Sequence, residues 1–591
     1  MTRMHWMLKR RLVAMTAVVI ATTLLASLPF GCGGSDSNST PPQGFKEERQ
    51  GWIYLHIAGL PHERGVQHGS LLAPEIDDFI TTVKAYVQHY TEKDWAFFRQ
   101  TAATLFLPKM EQEYIQEAQG IADGLRSKGY NYDATDIVAL NGFAEIAEYY
   151  LPSIGGISRI PGFPYGRSSI DFPYTPARVG PAAGVGSAGR SPLGRSGLPK
   201  SDRLLGGISS IPGSSHDRGG PSMHCSAVIA TGDWTSDKNI VLAHNSWNDY
   251  VLGERWNVIL DIAPTSGNRV LMQTAPGLLH SFTDFNVNSA GIVVSETTIG
   301  YFRGFDTNGI PEFQRARKAV QYSNSIDDFV RIMTTGNNGA YANSWLVGDT
   351  HTGEIAKLEL GLIHVALYRT KNGFYDGENY VDDSSMIRDE CGPTLWITSN
   401  NWPFQLTNAN CATARRMRWY ALMDEHKGQI DAELGKSFMA DQYEQALGKV
   451  NLGGFVLMAR MEATDRPEIP GVPAPRPMGA NDGKVITAAL ARQMSFWARI
   501  GHPDGSPFEW GPFMQAHPEF SWQQPYLKDL ESNDWALFSS SDSASQPKVG
   551  AAASRQWTSD PPSAVAAPPG YRVESVESIG QELRVHYVRA E

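Results

Sequence analysis

Cysteine is scarce in this chain: 591 residues hold four, Cys32, Cys225, Cys391 and Cys411, and no two form a C-x-x-C pair. The 15 histidines are scattered, so local spacing offers no zinc site, and neither a metal nor a cofactor is expected. Basic excess is also missing. Lys and Arg number 51 against 62 Asp and Glu, a net charge of −11, which argues against a nucleic-acid partner. Beyond residues 12–30, no run is long and apolar enough to span a bilayer. Periodicity is lacking in two tracts. Residues 152–224 are dominated by Gly, Pro, Ser and Arg and contain a near-repeat, GGISRIPG from Gly155 against GGISSIPG from Gly206; residues 539–570 are rich in Ser, Ala and Pro. Both compositions are expected to be disordered. Nothing in the sequence fixes an oligomeric state.

What is present begins with an export pattern. Arg3, Lys9, Arg10 and Arg11 precede the apolar run 12–30 and then Gly31-Cys32, which reads as a secretory signal over residues 1–32. Cys32 followed by Gly33-Gly34-Ser35 reads as a lipidation site with a tether over 33–50, although Pro29 stands where a lipobox usually has Leu. The expected location is the bacterial cell envelope, with the membrane as a partner through this N-terminal anchor. An oxidising compartment permits a disulfide between Cys391 and Cys411, which leaves Cys225 alone.

The chemistry centres on Met223–Tyr250. Cys225–Thr231 is a run of small and β-branched residues, a polar turn follows at Thr235-Ser236-Asp237-Lys238, and Ile240–Ala243 is apolar again. Two such runs around a short turn predict a β-hairpin, with Cys225 at the tip of one strand beside His244-Asn245 at the end of the other. A thiol beside an imidazole suits nucleophilic catalysis. A disordered tract ending at Cys225 points to cleavage there; the alternative is an ordinary buried cysteine after a long loop.

Cys225 opening a strand, His244-Asn245-Ser246-Trp247-Asn248-Asp249-Tyr250, Asn286–Ile292, Ala342-Asn343-Ser344-Trp345 and the upstream phrase Gly59–Gly69 together resemble the N-terminal nucleophile (Ntn) hydrolases. Within them the chain resembles the phospholipase B-like proteins and the related acyltransferases of penicillin biosynthesis (peptidase family C45), over about residues 51–538. The resemblance implies a four-layer αββα sandwich, where the sequence alone supports only an α+β fold. It implies autocleavage between His224 and Cys225, after which the new α-amine, with a pKa of about 8, serves as base for the thiol. It also implies Asn343, and second Asn288, as oxyanion donors, a role for His244 in orienting the amine, and Asp249 as the acidic residue. The insertion of Ser246 and Asn248 unsettles the last alignment. Asn288 reads equally as a turn residue, Asp249 as a plain loop carboxylate, and Glu63, Arg64, His68 and Gly69 as capping and turn chemistry. Arg255, Arg315 and Arg317 could bind a head group, but read better as surface charge.

Along the chain, residues 51–151 read as a short strand, Trp52–Ile57, followed by helices, including Leu105–Leu125 and Asp136–Tyr150. The core, 225–538, opens with short strands up to Leu360, interrupted by helices from Pro311 and Asp327; Cys411–Gly428, Ser437–Leu447 and Val485–Trp497 read as helical. Residues 571–591 read as a terminal strand or hairpin without a function. Three functions follow: an Ntn hydrolase acting on acyl lipids; the same nucleophile acting on N-acyl small molecules or transferring acyl groups; or an inactive binding protein on that scaffold.

Overall fold

The computed structural model describes residues 44–158, 225–282, 285–300, 302–391, 410–445, 447–464, 475–540 and 566–590. The expected leader with Cys32, the residue His224, the side chain of Cys411 and most of both biased tracts lie outside the described residues.

The described chain opens inside the span read as a tether. Strands β1 (Phe45–Arg49) and β2 (Trp52–Gly59) pair antiparallel across a turn at Gln50-Gly51, both at positive φ. Helices α1 (Pro61–Leu71), α2 (Ala73–Thr91), α3 (Trp95–Thr101), α4 (Gln112–Ser127) and α5 (Ala134–Asn141) follow. The continuous helix expected over Leu105–Leu125 is broken. A π-turn at Ala102–Phe106 and a 3-10 turn at Leu107–Lys109 precede α4, because Pro108 supplies no N–H to a helical ladder. Helices α1 and α4 pack backbone to backbone: Gly65 and Gly69 meet Gly120, Ile121 and Gly124, and a Cβ on Gly69 would lie 2.1 Å from the Ile121 carbonyl oxygen.

Next come β3 (Cys225–Thr231), β4 (Val241–Asp249), β5 (Val258–Pro264), β6 (Val270–Thr274), β7 (Phe285–Asn288) and β8 (Ile292–Thr298). Helices α6 (Glu312–Tyr322) and α7 (Ile326–Thr334) lead to β9 (Asn343–Asp349), β10 (Glu354–Leu360), β11 (His364–Thr370) and β12 (Gly373–Gly377). Then follow α8 (Ser384–Asp389), α9 (Asn410–Glu425), α10 (Ala432–Met439), the short β13 (Tyr443–Glu444) and β14 (Lys449–Val450), and β15 (Met478–Ala480). The chain closes with β16 (Asp482–Thr487), β17 (Ser495–Ile500), β18 (Ala536–Ser539), β19 (Tyr571–Ile579) and β20 (Glu582–Arg589).

These strands build two large sheets. One has eleven strands in the order β1-β2-β5-β6-β7-β8-β9-β10-β11-β20-β19; the other runs β12-β3-β4-β16-β17-β18, with β15 also paired to β4. Period-two alternation sorts the side chains into layers. Ala227, Ile229, Leu242, Ile259, Leu271, Val293, Leu346 and Ile486 meet between the sheets. Ile53, Leu55, Val258, Leu260, Val294 and Val347 face a helical layer that includes α2, α4, α6 and α7. Val228, Ala230, Val241, Ala243 and Val485 face α9 and α10 through Trp419, Met423 and Phe438. The fold is α+β, in four layers.

Two expected helices fail. In Val485–Trp497 only Ala488–Ala491 is helical, and the flanks are β16 and β17. The run of alanines favours a helix locally, but Val485 pairs with Ala243 on one side and Trp497 on the other, and tertiary pairing outweighs propensity. In Ser437–Leu447 the helix ends at Met439, and Tyr443–Glu444 pairs with Lys449–Val450.

Candidate active site

Strand β4 runs past the expected end at Ala243 to Asp249, and this extension shapes the site. Cys225 lies directly opposite Ser246, Ser226 opposite Asn245, and Ala227 opposite His244. Cys225 shares the parity of Ala227 and Ile229, and His244, Ser246 and Asn248 that of Leu242, so all four positions fall on the inter-sheet side. In an antiparallel ladder, directly opposed Cβ atoms are roughly 5 Å apart and diagonal ones roughly 7–8 Å. The thiol therefore faces Ser246 directly, with His244 and Asn248 as its two diagonal neighbours.

The third strand of this face carries a buried cation that sequence reasoning missed. Lys484 pairs with His244 across β16, and its Nζ donates to Ser246 Oγ at 2.8 Å and to Asp482 Oδ1 at 2.6 Å. Asp482 also accepts from the Ser246 N–H at 2.9 Å and from Gln273 Nε2 at 2.7 Å. Lys484, Asp482 and Gln273 are fully buried. A signal for them existed: Asp482, Lys484 and Ile486 alternate onto one face if the residues from Asp482 form a strand rather than leading into the helix expected from Val485.

On the other side of the Cys225 backbone stands Arg415, from α9. Its Nη1 donates to the Cys225 carbonyl at 2.5 Å, its Nη2 to the Glu378 carbonyl at 2.7 Å and to Asn379 Oδ1 at 2.9 Å. The guanidinium also stacks on Trp247, 4.6 Å from the ring centroid. Asn379 Nδ2 in turn holds the Thr298 carbonyl at 2.7 Å, which links the start of β3 to the end of β8.

Cys225, Ser246, Trp247 and Asn248 line a pocket closed by Trp256, Phe282, Tyr341 and Glu148. Cys225 itself is only 4 % exposed. Burial holds the Glu148 carboxyl well above the usual range, so a neutral acid stands in the wall. Glu148 belongs to a π-helical turn, Glu145–Tyr150, a distortion frequent at functional sites. Burial, and then the charge of Lys484, push His244 well below an ordinary imidazole, so it is neutral at physiological pH.

The remaining expected residues take other places. Asn343 is fully buried, and neither atom of its amide has a hydrogen-bond partner among the described residues. On β9 it has the parity of Trp345 and Val347, which face the helical layer, and it does not line the pocket. Asn288 is not brought to the cluster. Its Nδ2 donates to the carbonyls of Val320 and Ser323, and its Oδ1 accepts from the N–H groups of Ala290 and Ile292. It sits by Ile292, whereas Asn343 pairs with Thr298 at the opposite end of β8. Asp249 is buried and ion-paired: it accepts from Arg476 Nη2 at 2.8 Å and from Tyr86 Oη at 3.0 Å.

The upstream phrase is structural. Glu63 accepts the Leu60 N–H, Arg64 pairs with Glu117, and His68 Nε2 accepts from the Gly277 N–H; burial first of all lowers the pKa of His68 to about 4. Arg255, Arg315 and Arg317, expected on the surface, are buried. Arg255 holds Asp78, Arg315 holds Asn338, and Arg317 holds Glu117. Cys391 is buried, and its expected disulfide partner lies outside the described side chains. Elsewhere, folding brings together donors suited to a metal, His364, Glu574 and His586, none of which lines the Cys225 pocket.

Comparison with known proteins finds similarity over part of the chain. The Phospholipase B family model matches residues 208–368. Phospholipase B-like 1 from Bos taurus is 30% identical over 135 residues, and that from Homo sapiens 31%; each match covers 21% of this chain and 24% of the relative. The match thus spans about a quarter of those relatives' length. An uncharacterised protein from Archaeoglobus fulgidus is 22% identical over 418 residues, 67% of this chain and 59% of that one. Among solved structures, a mutant of the conjugated bile acid hydrolase from Clostridium perfringens aligns with a TM-score of 0.26 at 10% identity, covering 46% of this chain and 88% of that one. Residues 208–368, which carry Cys225, His244 and Asn343, are thus the part of the chain that is similar to the phospholipase B family.

Proposed function

We propose that this protein is a self-processing hydrolase whose nucleophile is the Cys225 thiol and whose substrates carry long acyl chains, as the family relationship suggests. The observation that carries the reading is the placement of Cys225 as the first residue of a buried strand, at the wall of a pocket, with its carbonyl held by Arg415. Cleavage of the His224–Cys225 bond frees an α-amine beside the sulfur, near neutral pH a competent base for a thiol. The thiolate attacks the acyl carbon, the leaving alcohol or amine departs with a proton, and water releases the acid from the thioester. Asn248, a diagonal neighbour of Cys225 that lines the pocket, is better placed than Asn288 to donate to the developing oxyanion. Trp256, Phe282 and Tyr341 supply the apolar wall for a chain.

The test is intact mass and N-terminal sequencing of wild type beside Cys225→Ala, followed by acyl release. Wild type should yield a chain starting Cys225-Ser226-Ala227 and hydrolyse lysophospholipid, while Cys225→Ala stays whole and inactive. An uncut wild type that hydrolyses nothing would sink the reading; a cut enzyme that prefers N-acyl amino acids would move the substrate to amides. The same reading carries an exported enzyme lipidated on Cys32, which palmitate labelling of wild type against Cys32→Ala tests.

A further inference from the structure

The C-terminal hairpin, β19–β20, extends the eleven-stranded sheet at β11 and carries a cluster with no part in the chemistry above. His586 on β20 lies opposite Ala366 on β11, and His364 opposite Val588, so the two histidines are diagonal neighbours on one sheet face. Their rings stack, with centroids 5.3 Å apart. The pairing of β19 with β20 slips between Val573 and Ser575, which makes Glu574 the extra residue of a bulge. Bulges re-aim side chains, and here the Glu574 carboxylate lies 2.8 Å from His586 Nδ1. One donor atom each from His364, Glu574 and His586 fall within 4.8 Å of one another.

Two further observations point to a ligand. His364 is only 5 % exposed, yet its Nδ1 has no hydrogen-bond partner among the described residues. Its other nitrogen, Nε2, lies 2.8 Å from Asp389 Oδ2 at the end of α8. A carboxylate on one nitrogen of an imidazole whose other nitrogen has no partner among the described residues is the arrangement that orients a metal-ligating histidine. On the other side of the cluster, the Asp383 carboxylate lies 3.6 Å from His586 Nε2.

We propose that His364, His586 and Glu574 bind a divalent transition metal of the zinc type, with Asp389 holding His364 and with water completing the shell. Two imidazoles and a carboxylate are a zinc donor set; magnesium and calcium prefer all-oxygen cages. Because the ligands come from β11, β19 and β20, the ion pins the terminal hairpin to the sheet. The proposal does not depend on the Cys225 chemistry.

The test uses the full, tag-free chain, stripped with chelator and titrated calorimetrically with zinc chloride, and separately with magnesium chloride. One zinc per chain is expected, no comparable magnesium site, and a higher melting temperature in zinc; cobalt substitution should give the visible bands of a tetrahedral site. His364→Ala/His586→Ala should lose the site, and Asp389→Asn should weaken it by about 10–100-fold. Asp389→Asn leaves all three ligands in place and so tests the site even if the double variant fails to fold. Wild type that binds no stoichiometric zinc, or a folded double variant that binds it as wild type does, overturns the proposal.

Discussion

Replacing Lys484 by Met removes the cation of the buried face while keeping most of its volume. Lys484 and Asp482 are fully buried and 2.6 Å apart, so the substitution strands a carboxylate away from water. Breaking a buried ion pair from one side typically costs about 3–5 kcal/mol. Asp482 keeps two donors, the Ser246 N–H and Gln273 Nε2, which places the expected loss near the lower limit, about 3 kcal/mol, or roughly a hundredfold in the unfolding equilibrium. Urea unfolding followed by tryptophan fluorescence at pH 7 measures it. Asp482→Asn in the same chain removes the stranded charge, so the double variant should be more stable than Lys484→Met alone, a non-additivity expected of contacting residues. A loss below about 1 kcal/mol, or a double variant no better than the single, would refute the claim that this pair is a desolvated ionic contact.

Three other outcomes follow from the same packing. Glu148 has its carboxyl raised by burial above the 4.5 of an unperturbed glutamic acid, so between 4.5 and the folded value the native state holds the extra proton. Stability there should fall by about 1.4 kcal/mol per pH unit. Glu148→Gln should match wild type at pH 4 and outlast it increasingly as the pH rises; a gap that does not change with pH would defeat the argument. Asn288→Ala breaks four hydrogen bonds to backbone groups and should cost about 3 kcal/mol in urea unfolding, while the rate of the proposed cleavage before Cys225, measured at low temperature, stays that of wild type. Gly69→Ala drives a methyl to 2.1 Å from the Ile121 carbonyl oxygen, so α1 and α4 must separate, at about 3 kcal/mol, read as a lower melting temperature.

The parts of the fold legible in the sequence were those in which local pattern and tertiary pairing agree. Cys225–Thr231 is a strand with the expected ends, and Glu354–Leu360 closes at Leu360, where the expected series of short strands stops, because β-branched runs between turns suit buried strands in any sandwich. The Asn-Ser-Ala-Gly turn after β7 is likewise visible from residue chemistry, and Asn288 Oδ1 accepts from the N–H groups of Ala290 and Ile292 there. The failures cluster where polar residues interrupt a strand. Ser246 to Asp249 does not read as strand, and Val485 to Thr487 looks like the start of a helix, yet both belong to central strands.

Those two misreadings share a cause, and it bears on function. A central strand filled with His, Asn, Ser, Asp and Lys has to bury groups that prefer water, which costs stability unless partners are supplied. Here the partners come from far along the chain: Lys484 for Ser246, Arg476 for Asp249, and the Met439 and Leu457 carbonyls for Asn245. No window of the sequence contains both members of any of these pairs. The strand that faces the thiol is therefore the one whose secondary structure is least predictable, since its polar residues are paid for only once β16 and α10 are in place. Register carries the rest of the consequence. A one-residue slip of β4 against β3 would turn His244, Ser246 and Asn248 to the far side of the sheet. The Ser246 contacts to Lys484 and Asp482 oppose that slip, so the ion pair beside the thiol also fixes which side chains the thiol meets.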